Sequence, residues 1–116
     1  MRYLLTSNID RSLVSALPED QRQTVMDRFV SYTTALAESG VLRGAEHLLP
    51  ADTATTVRNR DGETLLTDGP YADVVEAFGG WWIVESPDLD GALAHARACP
   101  AADVGSVEVR GIVERG

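Results

Sequence analysis

The sequence contains almost no cysteine, since Cys99 is the only one among 116 residues. A single cysteine cannot form an intrachain disulfide, and it leaves no cysteine pair for a structural zinc site. Runs of arginine or lysine are also absent, and 18 acidic against 10 basic residues give a formal net charge of -8. The chain therefore lacks a cationic track for phosphates, which disfavours nucleic-acid binding. Acidity of this kind keeps small proteins dispersed and indicates no particular substrate.

Long apolar runs and familiar cofactor motifs are missing as well. No segment approaches the length of about 18 apolar residues that a membrane helix needs, and the apolar N-terminus is too short for a signal peptide. With its single cysteine, the chain fits a reducing compartment, so we expect a cytoplasmic protein. The motifs G-x-G-x-x-G, the Walker loop, G-x-S-x-G and H-E-x-x-H do not occur. We therefore expect no nucleotide, metal or other cofactor.

Two main helices are predicted from turn signals and apolar spacing. Pro18, followed by Glu19 and Asp20, begins a helix that runs to about residue 39, and Gly40 then ends it. Apolar spacing of three and four predicts a buried stripe on this helix, made of Val25, Met26, Phe29, Val30, Thr33, Leu36 and Ala37. A second helix begins after Asp88. Its predicted buried stripe consists of Leu89, Ala92, Leu93 and Ala96.

The predicted strands surround these helices at residues 3–6, 41–49, 53–60, 63–67, 80–85 and 106–113. Asp61-Gly62 indicates a tight hairpin between the third and fourth strands. The pair Gly79-Gly80 permits a bulge or a close backbone approach, of which the bulge is favoured. Two helices among largely antiparallel strands favour one α+β domain over residues 1–116, in which both helices lie on one face of the sheet.

The other face of the sheet is expected to be covered too. Residues 3–5 and 81–84 are apolar at both odd and even positions, whereas a sheet with one wet face should alternate. A second copy of the same sheet, packed about a two-fold axis, covers this face most economically. We therefore predict a homodimer through the open sheet face. Trp81 and Trp82 must point to opposite faces, one under the helices and one into the dimer interior or a cavity.

The turn Asp68-Gly69-Pro70-Tyr71 carries an acid and a phenol. An aspartate before a turn normally accepts a hydrogen bond from the N–H two residues on, but Pro70 has none. The Asp68 carboxylate therefore either binds the N–H of Tyr71 or Ala72, which fixes the loop, or faces a pocket.

At this turn the sequence resembles the DGPF family, part of the YCII-related group in the dimeric α/β-barrel (ferredoxin-like) superfamily. The similarity covers nearly the whole chain, including residues 54–58, Gly79-Gly80, residues 88–92 and residues 107–110. It implies a ferredoxin-like sandwich that dimerises, without an assigned reaction. Tyr71 stands where the family usually has Phe, and residues 73–75 replace the usual Glu-Thr-Lys.

Some YCII-like relatives resemble small-molecule lyases or dehydrochlorinases that rely on a His-Asp pair. Their histidine lies on the first helix and their aspartate just after the second. The first predicted helix here has no histidine, and Cys99-Pro100 stands where the aspartate-proline is expected. That pair does not carry over. The resemblance also implies a regulatory role, because DGPF proteins are frequently encoded beside extracytoplasmic-function sigma factors.

The candidate site residues follow from side-chain chemistry. The best catalytic candidates are Asp68, His47 and Glu76. The predicted ligand-binding residues are Arg58, Asp68, Tyr71, Trp81 and Arg110. Structural roles compete with each of these, such as an ion pair of Glu76 with Arg58 or Arg110. His47 and His95 are the only side chains suited to proton transfer near neutral pH, and His95 lies off its helix's apolar stripe.

Three functional hypotheses stay open from the sequence. The first is a protein that binds a small organic molecule in a pocket near the Asp68 turn, as an accessory or regulatory factor. The second is a lyase or isomerase that uses Asp68, Glu76 or His47 as acid or base. The third is a purely structural partner protein.

Overall fold

The computed structural model describes residues 1–71 and 76–115. The predicted bond from Ala72 to Asp68 and the substituted positions 73–75 lie outside these residues. Within them, the six strands are β1 (Arg2–Asp10), β2 (Leu42–His47), β3 (Thr55–Arg60), β4 (Glu63–Asp68), β5 (Glu76–Glu85) and β6 (Gly105–Gly111). The four helices are α1 (Arg11–Ser15), α2 (Glu19–Glu38), α3 (Leu89–Ala98) and α4 (Ala101–Val104), and a 3-10 turn covers Ala51–Thr53.

Four of the strands form one antiparallel sheet in the order β2-β5-β1-β6. This order, with α2 and α3 contributing to a common core on one face, is the ferredoxin-like arrangement. Along β1 the side chains of Tyr3, Leu5 and Ser7 are buried, while the alternate positions are half-buried. The predicted α+β fold with both main helices on one face is thus confirmed, and a single chain closes no barrel among the described strands.

The hairpin of β3 and β4 forms a separate two-stranded sheet. Asp61 and Gly62 both have positive φ, 53° and 79°, which confirms the predicted tight turn. Val57 and Leu66 face each other across the hairpin, and both are exposed. An isolated two-stranded hairpin is only marginally stable in water, so the hairpin depends on contacts beyond its own two strands.

The core centres on Trp82, which lies under α2. Phe29 stacks parallel to its indole with centroids 6.2 Å apart, and Tyr32 meets it edge-on at 5.3 Å. The indole N–H donates to the hydroxyl of Thr33 at 2.9 Å, so the buried ring has no unsatisfied polar group. Trp81 lies on the opposite face, as the strand period predicts.

The predicted stripe of α2 is only partly buried. Leu36 is buried, together with Tyr32 from outside that stripe, but Met26 is 44% exposed and Val30 66% exposed. Ala37 is exposed too. At Met26 and Val30 the prediction was wrong because this part of the helix borders an open groove instead of resting on the sheet. Ala37 lies near the C-terminal end of α2, outside the groove lining. On α3, Ala92 and Ala96 are buried as predicted, whereas Leu89 is exposed.

Strand β1 is longer than predicted. It continues through Asp10 because antiparallel partners on both sides pair with residues 8 and 9. Helix α1 then follows at residues for which no helix was predicted. Asp10 then caps α1 by accepting the N–H of Ser12 at 3.0 Å. The register of β5 shifts from Gly80 to Phe78 opposite β1, which confirms the bulge at Gly79. None of the described helices is long and apolar enough to cross a membrane.

Candidate functional site

An open groove of about 820 Å³ lies between the N-terminal half of α2, the end of β2 and the beginning of β5. Small-molecule pockets typically have volumes of about 300–1,000 Å³. The side chains along the groove are mainly apolar. Those described include Ile9, Val14, Val25, Met26, Phe29, Val30, Leu48, Leu49, Ala77 and Trp82. A site of this size and composition suits an organic molecule with a flat or extended apolar part.

Aromatic rings give the groove part of its wall. Phe29 and Trp82, whose ring planes differ by 5°, both line the groove. The indole N–H is already bonded to Thr33, so Trp82 has no donor left for a ligand. Aromatic faces attract other planar rings through offset or edge contacts. This part of the wall therefore favours apolar, planar chemistry over hydrogen-bonded recognition.

Polar groups are few and lie around the apolar wall. Ser7 is buried, and its hydroxyl donates to the Gly80 carbonyl at 3.4 Å. His47 ends β2 directly opposite Gly80 and is exposed beside the groove. Arg11 begins α1 and also lines the groove. These groups supply a hydroxyl, an imidazole and a guanidinium, and Glu46, which also borders the groove, adds a carboxylate.

Two predicted site residues lie on the hairpin, outside the described lining of the groove. Asp68 and Tyr71 are exposed, Tyr71 by 82%. Within the described residues the Asp68 carboxylate accepts no hydrogen bond, so the predicted bond from the Tyr71 N–H is not formed. Arg58 donates to the Tyr71 carbonyl at 3.3 Å, and Thr56 to the Gly69 carbonyl at 2.8 Å. Arg58 thus holds the turn against β3.

Three further predicted residues share the open face of the main sheet. Glu76 accepts the Ser106 hydroxyl, and Arg110 pairs with Glu108. Hence the predicted ion pair of Glu76 with Arg58 or Arg110 is not formed in the described part of the chain. Trp81 lies over Gly44, where an added Cβ would stand 3.3 Å from the indole ring. A side chain at this position would therefore require the indole ring to shift by a few tenths of an ångström.

The predicted residues do not converge on one site. His47 borders the groove, Arg58, Asp68 and Tyr71 lie on or beside the hairpin, and the open sheet face carries Glu76, Trp81 and Arg110. Sequence reasoning did not single out Arg11, Ser7 or Phe29 as site residues, and it left open which of the two tryptophans packs under the helices. The apolar stripe of α2 includes Phe29, but apolar spacing does not distinguish a groove wall from a buried core position.

The remaining reactive groups are structural. Cys99 is buried at the end of α3, and burial raises the pKa of its thiol to about 11. Such a thiol stays protonated near neutral pH and is a poor nucleophile. Burial also raises the pKa of Tyr32, whose hydroxyl donates to the His95 carbonyl at 2.7 Å. The described residues contain no group of three or more His, Cys, Asp or Glu side chains that could hold a metal ion.

Comparisons with known proteins agree on the family and the fold. The model of the YCII-related domain matches residues 1–115. An uncharacterized protein of Rhizobium meliloti is 33% identical over 112 residues, which cover 95% of this chain and 90% of that protein.

A solved structure is similar over almost the full chain. It is a 5-chloro-2-hydroxyhydroquinone dehydrochlorinase from Burkholderia phenoliruptrix in complex with 2,5-dihydroxybenzoquinone. The TM-score is 0.59, with 99% of this chain and 96% of that chain covered, at 13% sequence identity. At this identity the likeness shows a common fold alone.

Proposed function

This chain belongs to the YCII-related family, and from that premise we propose that it binds a small organic molecule in the groove between α2 and the main sheet. The observation that carries the proposal is the pairing of an apolar, aromatic wall at Phe29 and Trp82 with a few polar groups at the margin. Ligand sites in general have this composition. An accessory or regulatory role fits binding without catalysis.

The proposed ligand site differs from the site predicted from the sequence. Binding near the Asp68 turn was motivated by an acid and a phenol on a stiff loop, but these two side chains are exposed on the hairpin. His47 is the predicted site residue that borders the groove. We therefore assign the ligand to the groove, while Asp68 and Tyr71 remain candidates for a second contact surface.

The open face of the main sheet supports the proposal of a homodimer. Leu4, Ile83 and Trp81 share this face and are only half-buried in a single chain. A second copy of the chain covers such a half-buried apolar face most economically, because a two-fold axis buries the equivalent face of both protomers in one contact. The groove lies on the opposite, helical side, where Ala45, Trp82 and His47 point, so dimerisation leaves it accessible.

An enzyme is the second candidate, and His47 is the observation that favours it. Its imidazole can exchange a proton with a ligand in the groove it borders, and a dehydrochlorinase shares the fold. In this case the reaction is a lyase or isomerase step. Turnover of an identified substrate should then fall by about 100-fold or more in His47→Ala, in line with the loss of a general acid or base. Turnover equal to that of the wild type would remove His47 from the mechanism.

Filling the groove should abolish binding without unfolding the protein. Thr34 is exposed on α2 and lines the groove, so Thr34→Trp places a large ring where the ligand would lie. We expect at least a tenfold loss of affinity for any groove ligand, since binding would require displacement of that ring. Isothermal titration with a hit from a thermal-shift screen of planar aromatic compounds measures the change.

Ser31→Trp is the matched control, because Ser31 is exposed on the same helix and is not among the groove-lining residues. This variant should bind with wild-type affinity. A hit that binds Thr34→Trp as tightly as the wild type does not occupy the groove, and the proposed site would then be wrong.

A further inference from the structure

The geometry points to a specific class of ligand for this groove: a planar aromatic molecule that carries one negative charge, with its rings along Phe29 and Trp82 and its charge paired with Arg11. This inference rests on the proposed function, since it names the ligand of the same site. It goes further because it assigns the charge of the ligand and the side chain that binds this charge.

The charge of the groove differs from that of the chain. The whole chain has a formal net charge of -8. Among the described residues that line the groove, the ones with ionisable side chains are Arg11, Glu46 and His47. The register pairs Glu46 with Trp81, on the open face, whereas Ala45 pairs with Trp82 on the helical face. Glu46 therefore borders the groove from the far side of β2. The ionisable groups that face the groove are therefore His47 and Arg11, whose guanidinium is always positively charged.

Arg11 is available for a ligand. The neighbouring carboxylate of Asp10 is occupied by the N–H and hydroxyl of Ser12, at 3.0 and 2.6 Å. These bonds hold the pKa of Asp10 below its usual value, so it remains an acceptor for the helix cap. The guanidinium lies 3.8 Å from Asp52 in a pair that is exposed on both sides, and in the described part of the chain it donates no hydrogen bond. An exposed pair at this distance contributes little and is readily exchanged.

The aromatic wall restricts where the charged group of a bound ligand can lie. With the indole N–H bonded to Thr33, the part of the wall formed by Phe29 and Trp82 can pack against a ring but offers no hydrogen bond to an anion. A carboxylate on such a ring is therefore driven to the rim, where a guanidinium fork can hold both oxygens. The groove volume of about 820 Å³ leaves room for more than one ring. A fused two-ring aryl carboxylate is a suitable representative.

The test compares 2-naphthoate with its neutral isostere 2-naphthamide by isothermal titration. Wild-type protein should bind the carboxylate about tenfold more tightly than the amide, as expected for one charge-assisted hydrogen-bonded pair. Arg11→Gln should remove this preference and leave the affinity for the amide unchanged. Arg97→Gln is the control, because Arg97 is exposed on α3, is not among the groove-lining residues and causes the same change in net charge.

The outcomes separate this inference from the proposed function. If the wild type binds 2-naphthoate and 2-naphthamide equally, or if the preference for 2-naphthoate survives Arg11→Gln, the assigned charge is wrong. The proposal that the groove binds a ligand is unaffected by either result. Tighter binding of decanoate than of 2-naphthoate would overturn the aromatic part in favour of a chain-like acid. If neither naphthalene nor decanoate binds, the inference fails, and a groove ligand found by the screen would still uphold the proposed function.

Discussion

Replacing Trp82 with alanine is expected to lower the free energy of unfolding by about 3–5 kcal/mol, the usual cost of deleting a buried aromatic side chain. The ring is only 6% exposed, and it contacts Phe29 on one face and Tyr32 at its edge. Its loss leaves a cavity between α2 and β5 and removes the hydrogen bond to Thr33. Urea denaturation followed by circular dichroism measures the change, and any groove ligand should no longer bind.

The neighbouring tryptophan provides a control of the same residue type. Trp81 lies one position earlier on the same strand but on the open face, where it is half-buried in a single chain. Measured in a monomeric background, Trp81→Ala should lower the free energy of unfolding by less than half as much as Trp82→Ala does. Equal costs for the two substitutions would contradict the assignment of Trp82, and not Trp81, to the helical core.

Ile83→Arg should convert the proposed dimer to monomers and raise the dissociation constant by at least about 100-fold. Ile83 lies on the open face opposite Leu4, at the centre of the surface we propose as the interface. A two-fold axis brings two such substitutions into one interface, where each unpaired guanidinium must be desolvated. The monomer tolerates the change, because there the new side chain reaches water. Analytical ultracentrifugation at micromolar concentrations resolves the two states.

A matched substitution outside the open face is Leu13→Arg. Leu13 is an exposed apolar residue on α1 and is not among the groove-lining residues. This variant should sediment as the wild type does. A wild-type protein that is strictly monomeric at micromolar concentration would defeat the dimer proposal, and an Ile83→Arg variant that stays dimeric would place the interface elsewhere.

Local signals predicted much of the fold because backbone geometry determines them. Asp61-Gly62 adopts the positive φ values that a two-residue hairpin turn requires, and Asp88 caps α3 by accepting the Gly91 N–H at 2.8 Å. Trp81 and Trp82 fall on opposite faces because successive strand residues must. Each of these predictions depended on two or three neighbouring residues, and none required knowledge of distant pairing.

The candidate site was harder to predict because it depends on how distant elements meet. Val30 belongs to an apolar stripe by spacing, yet the stripe does not reveal that the sheet leaves this part of α2 uncovered. Asp68 and His47 each end a strand, but β3 and β4 form their own sheet, which separates Asp68 from the groove. Nothing in the sequence marked Arg11 as a site residue, because its position beside the groove depends on the extension of β1 and the start of α1.

The central claim, that the groove beside Trp82 holds the ligand, is tested most directly by nuclear magnetic resonance. The chain has two tryptophans, so a ¹⁵N-labelled sample gives two indole N–H signals. The signal of Trp82 reports on the groove, and that of Trp81 on the open sheet face. Titration with 2-naphthoate should shift the Trp82 signal and leave that of Trp81 in place. A titration that shifts Trp81, or the backbone of the Asp68 turn, while Trp82 stays unchanged would contradict the claim.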